Sequence, residues 1–253
     1  MVPNRLRQWF DQTGSRLLGS AADLCIVCGV RPIPAKAAAA LPLCDRCRAV
    51  VPWIRPADIR CQDCGRPDPC PDCSRRVHSQ VVCNRSAVRY DEIMKAWLSR
   101  LKYRGDERMH QLFADMMDGL LQRTLTELRL RRRDVALLTY VPLSAERLRE
   151  RGFNQTERIA RRLGEKSRIP VVSTLVRARH TDKMSYKSRA ERLSDLQGAF
   201  EADRSFAVQP KSANSVIVLI DDVYTTGSTL HECAGTIRST VPNIQIIGLT
   251  WAR

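Results

Sequence analysis

One segment limits the possible folds of this chain more than any other: Ser215-Val-Ile-Val-Leu-Ile-Asp-Asp-Val-Tyr-Thr-Thr-Gly-Ser-Thr-Leu230. Its apolar run does not alternate with polar residues, which is the pattern of a strand buried on both faces inside a parallel sheet. The strand ends at two adjacent carboxylates, and four hydroxyl residues around a single glycine then open a helix. Backbone N–H groups and hydroxyls at a helix N-terminus form a cradle for a phosphate monoester, with Gly227 letting the backbone approach closely. Thr225, Thr226, Ser228 and Thr229 would line that cradle, whereas a plain helix cap needs only one hydroxyl residue. Asp221 and Asp222, at the carboxyl end of the strand, can accept hydrogen bonds from vicinal hydroxyls. Carboxylates beside a phosphate cradle point to a sugar phosphate, and a GxxxxGK[ST] nucleotide loop is absent.

The chain around this segment alternates helices and strands. Glu92 to Lys102 sets Ile93, Met94, Trp97, Leu98 and Leu101 on one helical stripe, and Met109 to Leu130 repeats the pattern over a longer span. Val135 to Pro142 reads as a strand, Ser144 to Leu163 as a helix, Pro170 to Val172 as a short strand, Leu230 to Thr240 as a helix and Ile244 to Thr250 as a strand. Strands alternating with helices predict an α/β domain with a parallel sheet covered on both faces, here expected over residues 84–253.

Residues 25–83 follow other rules. Nine of the ten cysteines precede residue 84, and eight of them fall in four C-x2-C pairs: Cys25/Cys28, Cys44/Cys47, Cys61/Cys64 and Cys70/Cys73. A two-residue spacer lets both thiolates of a turn point at one metal, so eight thiolates predict two structural Zn²⁺ sites. A proline-rich segment with no long helical or alternating pattern needs such cross-links to hold a shape. A disulfide framework would need a secretory signal, and residues 1–24, read as a helical extension, contain no apolar signal core. Spacing leaves the pairing open. Sequential tetrads are simplest, but the short gap between Cys64 and Cys70 also allows Cys44/Cys47 to join Cys61/Cys64. His78 and Cys83 would be spare ligands or ordinary surface and core residues.

Composition narrows the partners. The formal charge is +15, of which residues 1–83, with 12 basic and 7 acidic side chains, hold +5. The charge is therefore spread in proportion to length, which argues for a broadly basic surface that meets polyanions rather than for a basic tail. No stretch reaches the ~20 apolar residues of a membrane helix, and a cytoplasmic location is expected.

The strand, carboxylate pair and Thr-Thr-Gly-Ser-Thr turn resemble the phosphoribosyl pyrophosphate motif of type I phosphoribosyltransferases. Three further segments resemble the ComF (competence protein F, GntX-like) family: Leu101-Lys-Tyr-Arg-Gly-Asp106, Val141-Pro-Leu-Ser-Ala-Glu-Arg-Leu-Arg-Glu-Arg-Gly-Phe-Asn-Gln155 and Gly198-Ala-Phe200. That family also carries N-terminal cysteine knuckles, so the resemblance runs from about Cys25 to Arg253. It implies a phosphoribosyltransferase domain behind a double zinc ribbon. Val141, Pro142 and Leu143 would form the pyrophosphate loop, with Lys102, Arg147, Arg151 and Asn154 facing the anionic substrate. Arg189 and Arg192 would lie in a basic loop that closes over pyrophosphate, and Mg²⁺ would arrive with the substrate. This chain has Thr181-Asp-Lys-Met184 where members commonly read Thr-x-x-Gln, so Met184 has no role to inherit.

Two functional classes follow. One is a phosphoribosyltransferase of unread acceptor, linked by the resemblance to DNA uptake in natural transformation. The other is a non-catalytic protein that keeps the fold for ligand sensing or for binding single-stranded DNA, with DNA-uptake proteins as further partners. Only 24 residues follow Thr229, so acceptor contacts are expected from around Lys102–Asp106 or from the cysteine module.

Overall fold

The computed structural model describes residues 24–30, 41–75, 79–178, 198–204, 206 and 215–253. Contacts divide the chain into two compact units, Met1–Val51 and Pro52–Arg253. The first carries the knuckles Cys25/Cys28 and Cys44/Cys47 and the short helix α1 (Asp45–Ala49), capped by the Cys44 sulfur, which accepts from the Cys47 N–H. Of the helical extension expected over residues 1–24, only Leu24 is among the described residues.

The second unit holds the parallel sheet. In chain order its elements are β1 (Cys83–Val88), α2 (Glu92–Arg104), α3 (Glu107–Glu127), β2 (Val135–Tyr140), α4 (Ala145–Arg151), α5 (Gln155–Ser167), β3 (Leu175–Arg177), β4 (Phe200–Ala202), β5 (Val216–Val223), α6 (Ser228–Thr240) and β6 (Gln245–Ala252). The four-stranded sheet runs β1-β6-β5-β2 with every pairing parallel, and β3 and β4 form a separate antiparallel pair. Helices α3 and α5 cover one face, where Phe113 stacks on Trp251 at 3.8 Å. On the other face α6 and the β3–β4 pair share a buried cluster with Cys64 and Cys73, so the second pair of knuckles helps cover the sheet as a helix would elsewhere. Gly65 makes this possible. At φ +70° it lies so close to β1 that a Cβ would stand 2.7 Å from the Asn84 carbonyl oxygen. Among the described residues no helix is long and apolar enough to cross a membrane.

Two expected elements differ. The single helix expected over Ser144–Leu163 is two, because Gly152 turns left-handed at φ +75° and Asn154 caps a new helix through the N–H groups of Thr156 and Glu157. Pro170–Val172 makes only an isolated bridge, Val171 to Leu138, rather than a strand. Strand β1 has no counterpart among the expected elements. It buries Asn84, Arg85 and Ser86, each partnered: Arg85 by Glu127 and Gln62, Asn84 and Ser86 by Thr250.

Candidate functional site

Parallel strands that end together leave a crevice above their carboxyl ends, where α/β folds bind ligands. Here β5 delivers Asp221 and Asp222 to that edge, and the turn Thr225–Gly227 leads into α6. Gly227 holds φ +80°, and an added Cβ would stand 2.1 Å from the Tyr224 hydroxyl. The hydroxyls of Thr226 and Ser228 bond to each other across the turn. The start of α6 therefore lines a narrow cleft bounded by Asp221 and Val223–Leu230, with the Ser228 N–H donating to the Thr226 hydroxyl at 3.4 Å.

A cavity of about 280 Å³ adjoins this turn. Its walls include Lys102 from α2, Val141–Leu143 after β2, Arg147 and Arg151 from α4, Arg177 from β3, and Asp221, Asp222, Thr225 and Thr229. The two carboxyl groups are held in different protonation states. Asp222 is buried, which alone would raise its pKa. The Lys102 ammonium at 2.8 Å and the Gln155 amide, donating at 2.8 Å, outweigh that and hold it below the usual range. Asp221 keeps some surface open to the cleft yet is densely surrounded. Burial, followed by the neighbouring Asp222 charge, pushes its pKa up to about 8. Near neutral pH the pair thus carries one negative charge and one proton. Against it stand four cations, Lys102, Arg147, Arg151 and Arg177, and Arg147 has no carboxylate partner among the described residues. The cavity suits a polyanion with vicinal hydroxyls.

The structure gathers most of the expected residues in this cavity and the adjoining cleft, and it sets Asn154 apart from them. Asn154 is buried away from the cavity, where it donates to the Val141 carbonyl at 3.1 Å and caps α5, so it shapes the 141–143 loop rather than facing a ligand. Thr181, Arg189 and Arg192 lie outside the described residues, as does His78. Asp106 turns to Arg100 and Arg108.

The cysteines form two tetrads, Cys25/Cys28/Cys44/Cys47 and Cys61/Cys64/Cys70/Cys73, each with its sulfurs within 4.8 Å of one another. The pairing is sequential. Tetrahedral Zn–S bonds of about 2.3 Å place sulfurs about 3.8 Å apart, and Cys28–Cys44 at 3.6 Å and Cys64–Cys70 at 3.5 Å fit that edge. N–H groups of Cys47 and Cys73 donate to the sulfurs of Cys44 and Cys70. In each tetrad one thiol is driven down against its burial by such donors, Cys25 to about 6 and Cys70 to about 7. Burial and crowding push Cys47 and Cys64 up. Four thiols sharing one point resist a second ionisation unless a cation neutralises them, so both tetrads can hold zinc. Cys83 belongs to neither and is a core residue of β1.

Over 202 residues the chain is 33% identical to competence protein ComFC of Bacillus subtilis (strain 168), with 76% of each chain covered. The chain belongs to the ComF family. It is also 29% identical over 194 residues to competence protein ComFC of Streptococcus pneumoniae (strain ATCC BAA-255 / R6), covering 75% of this chain and 78% of the relative. Over 114 residues it is 35% identical to competence protein F of Haemophilus influenzae (strain ATCC 51907 / DSM 11121 / KW20 / Rd), covering 44% and 48%. No protein-family model matches the chain. Five residues that line the cavity of this ComF chain had no role assigned from the sequence: Tyr90, Gln155, Thr156, Arg177 and Val223. Gln155 stands in the quoted Arg-Gly-Phe-Asn-Gln pattern and was open to notice. Arg177 and Tyr90 lie in segments without a motif, and only folding brings them to Asp221.

Proposed function

We propose that this chain binds phosphoribosyl pyrophosphate and transfers its phosphoribosyl group to an acceptor nucleophile. The observation that carries this reading is the meeting of the Thr225–Thr229 turn, the Asp221–Asp222 pair and four cations in one crevice at the carboxyl edge of the sheet. The turn takes the 5′-phosphate, and Val141–Leu143 with Arg147 and Arg177 takes the pyrophosphate. Asp222, kept ionised by Lys102 and Gln155, accepts from a ribose hydroxyl, while the protonated Asp221 can donate to the other. As the C1–O bond breaks, its electron pair leaves on pyrophosphate and positive charge develops at C1. The guanidinium groups stabilise the departing anion, and the Asp222 carboxylate offsets the cationic sugar. Lys102 and Gln155 already occupy one oxygen of Asp222 and the ribose hydroxyl takes the other, so Mg²⁺ would ride on the pyrophosphate and neutralise its charge there. The relatives are named competence proteins, and we place the activity in competence, with DNA-uptake proteins and single-stranded DNA as partners on the basic surface.

Calorimetry of the zinc-loaded chain with phosphoribosyl pyrophosphate and Mg²⁺ tests the site. Charge-assisted hydrogen bonds are worth ~1.5–3 kcal/mol, so Asp221→Asn/Asp222→Asn should lower affinity more than tenfold, with Asp222→Asn alone responsible for most of it. Parental affinity in the double variant would show that the ligand sits elsewhere.

A further inference from the structure

A second cavity, of about 460 Å³, shares Tyr90, Val223 and Thr225 with the first and lies over the carboxyl ends of β1, β5 and β6. Its volume falls within the ~300–1,000 Å³ of small-molecule sites. One wall comes from the second pair of knuckles, residues Arg66–Asp68 and Asp72, and the opposite wall from Arg89–Asp91 and Arg253. These walls are fixed. The Tyr90 N–H donates to the Arg253 carbonyl at 2.6 Å, and the Arg253 N–H donates to Val88 at 3.0 Å. The Arg253 guanidinium donates to the Cys64 carbonyl at 2.8 Å and covers the Tyr224 ring at 4.6 Å.

We propose that this second cavity is the acceptor subsite, and that it takes an uncharged nitrogen heterocycle of the nucleobase type. The inference rests on the phosphoribosyl reading of the first cavity. With the sugar over Asp221–Asp222 and pyrophosphate toward Val141–Leu143, beyond β2, an in-line nucleophile must arrive from the side of β5 away from β2. That side is where β6 and β1 lie and where this cavity opens, with the exposed ring of Tyr90 on the boundary between the two. The charge of the walls selects the ligand. Arg66, Arg89 and Arg253 face Asp68, Asp72 and Asp91, so the formal charges cancel. Arg89 pairs with Asp68 at 3.3 Å, and Arg66 with Asp72 at 3.8 Å. A neutral ring that offers both N–H donors and carbonyl or ring-nitrogen acceptors matches such walls, whereas a carboxylated heterocycle would find Arg66 and Arg89 already paired with aspartates and the Arg253 guanidinium held by Cys64 and Tyr224. In the transfer, the ring nitrogen's electron pair forms the N–C1 bond while the C1–O bond breaks onto pyrophosphate. The nitrogen's proton passes to water at the mouth.

The test is calorimetry on the full zinc-loaded chain in two steps: phosphoribosyl pyrophosphate with Mg²⁺, then, on the ribose 5-phosphate complex, adenine, hypoxanthine, guanine and uracil beside orotate, nicotinate and a short single-stranded oligonucleotide. At least one uncharged base should bind, at least tenfold more tightly than either carboxylated ring. Arg89→Ala should weaken that base fivefold or more and leave sugar-phosphate affinity within twofold. Tyr90→Ala should weaken both ligands. If phosphoribosyl pyrophosphate does not bind, the proposed function itself fails. If it binds but no uncharged base follows, or the carboxylated rings or the oligonucleotide bind better, or Arg89→Ala changes nothing, the acceptor assignment alone is wrong.

Discussion

Replacing Gly227 with alanine tests whether the phosphate turn depends on the contact beneath it. Two costs can be worked out separately. Residue 227 sits at φ +80°, a left-handed conformation that costs a non-glycine residue about 1–2 kcal/mol. The new Cβ would also stand 2.1, 2.3 and 2.9 Å from the Oη, Cζ and Cε2 atoms of Tyr224. That ring cannot simply swing aside, because it is buried under the Arg253 guanidinium and its backbone N–H is bonded to Ala252. Overpacking of this sort costs about 1–3 kcal/mol. A combined loss of ~3 kcal/mol in a unit of about 200 residues lowers the melting temperature by roughly 6–12 °C. Displacing one charge-assisted N–H from the phosphate should also weaken sugar-phosphate binding about tenfold or more. Tyr224→Leu removes all three clashing atoms and keeps an apolar side chain. In that background Gly227→Ala should cost only the backbone share, about 1–2 kcal/mol. Thermal melts and calorimetry of the four proteins complete the cycle. An equal cost in both backgrounds, or a melting temperature unchanged by Gly227→Ala, would show that the Tyr224 contact does not constrain the turn.

Three other outcomes are expected. The Asp221 carboxyl holds its proton to about pH 8 in the folded chain but loses it near 3.8 when unfolded, so the folded state binds more protons in between and stability falls as pH rises through that window. Urea melts from pH 5 to pH 8 should show this slope in the parent and a flatter one in Asp221→Asn; equal slopes would contradict the assignment. Elemental analysis of protein purified without chelator should find about two zinc per chain, from the two tetrads. Cys64→Ser should lower the melting temperature of the sheet unit, whose core contains Cys64, whereas Cys28→Ser should leave it close to the parent's; similar melting temperatures for the two would argue against the shared core. Single-stranded DNA bound by the diffuse basic surface should weaken steeply with salt, and neutralising the exposed Arg129, Arg131, Arg132 and Arg133 should weaken it further without touching sugar-phosphate affinity. Loss of both activities in that variant would join the two sites.

Features that depend on neighbours along the chain were legible before folding. The uninterrupted apolar run of β5 required a strand buried on both faces, and the carboxylates and hydroxyls that follow it had to stand at the carboxyl end of that strand and the start of a helix. The two-residue spacers set each pair of thiols side by side. Folding decided whatever depends on distance across the chain. Spacing could not choose between sequential and interleaved tetrads, because a chain reversal costs little more for one than for the other; the close packing of Gly65 on β1 fixes the second tetrad within the sheet unit. Strand β1 was hidden because Asn84, Arg85 and Ser86 look solvent-exposed until Thr250, Glu127 and Gln62 are brought to them, and a buried polar group is tolerated only when partnered. The different protonation states of Asp221 and Asp222 were equally out of reach. Two adjacent aspartates are alike in sequence, and they differ only because α2 and α5 bring Lys102 and Gln155 to one of them and leave the other crowded and unpaired with any cation at hydrogen-bond distance among the described residues.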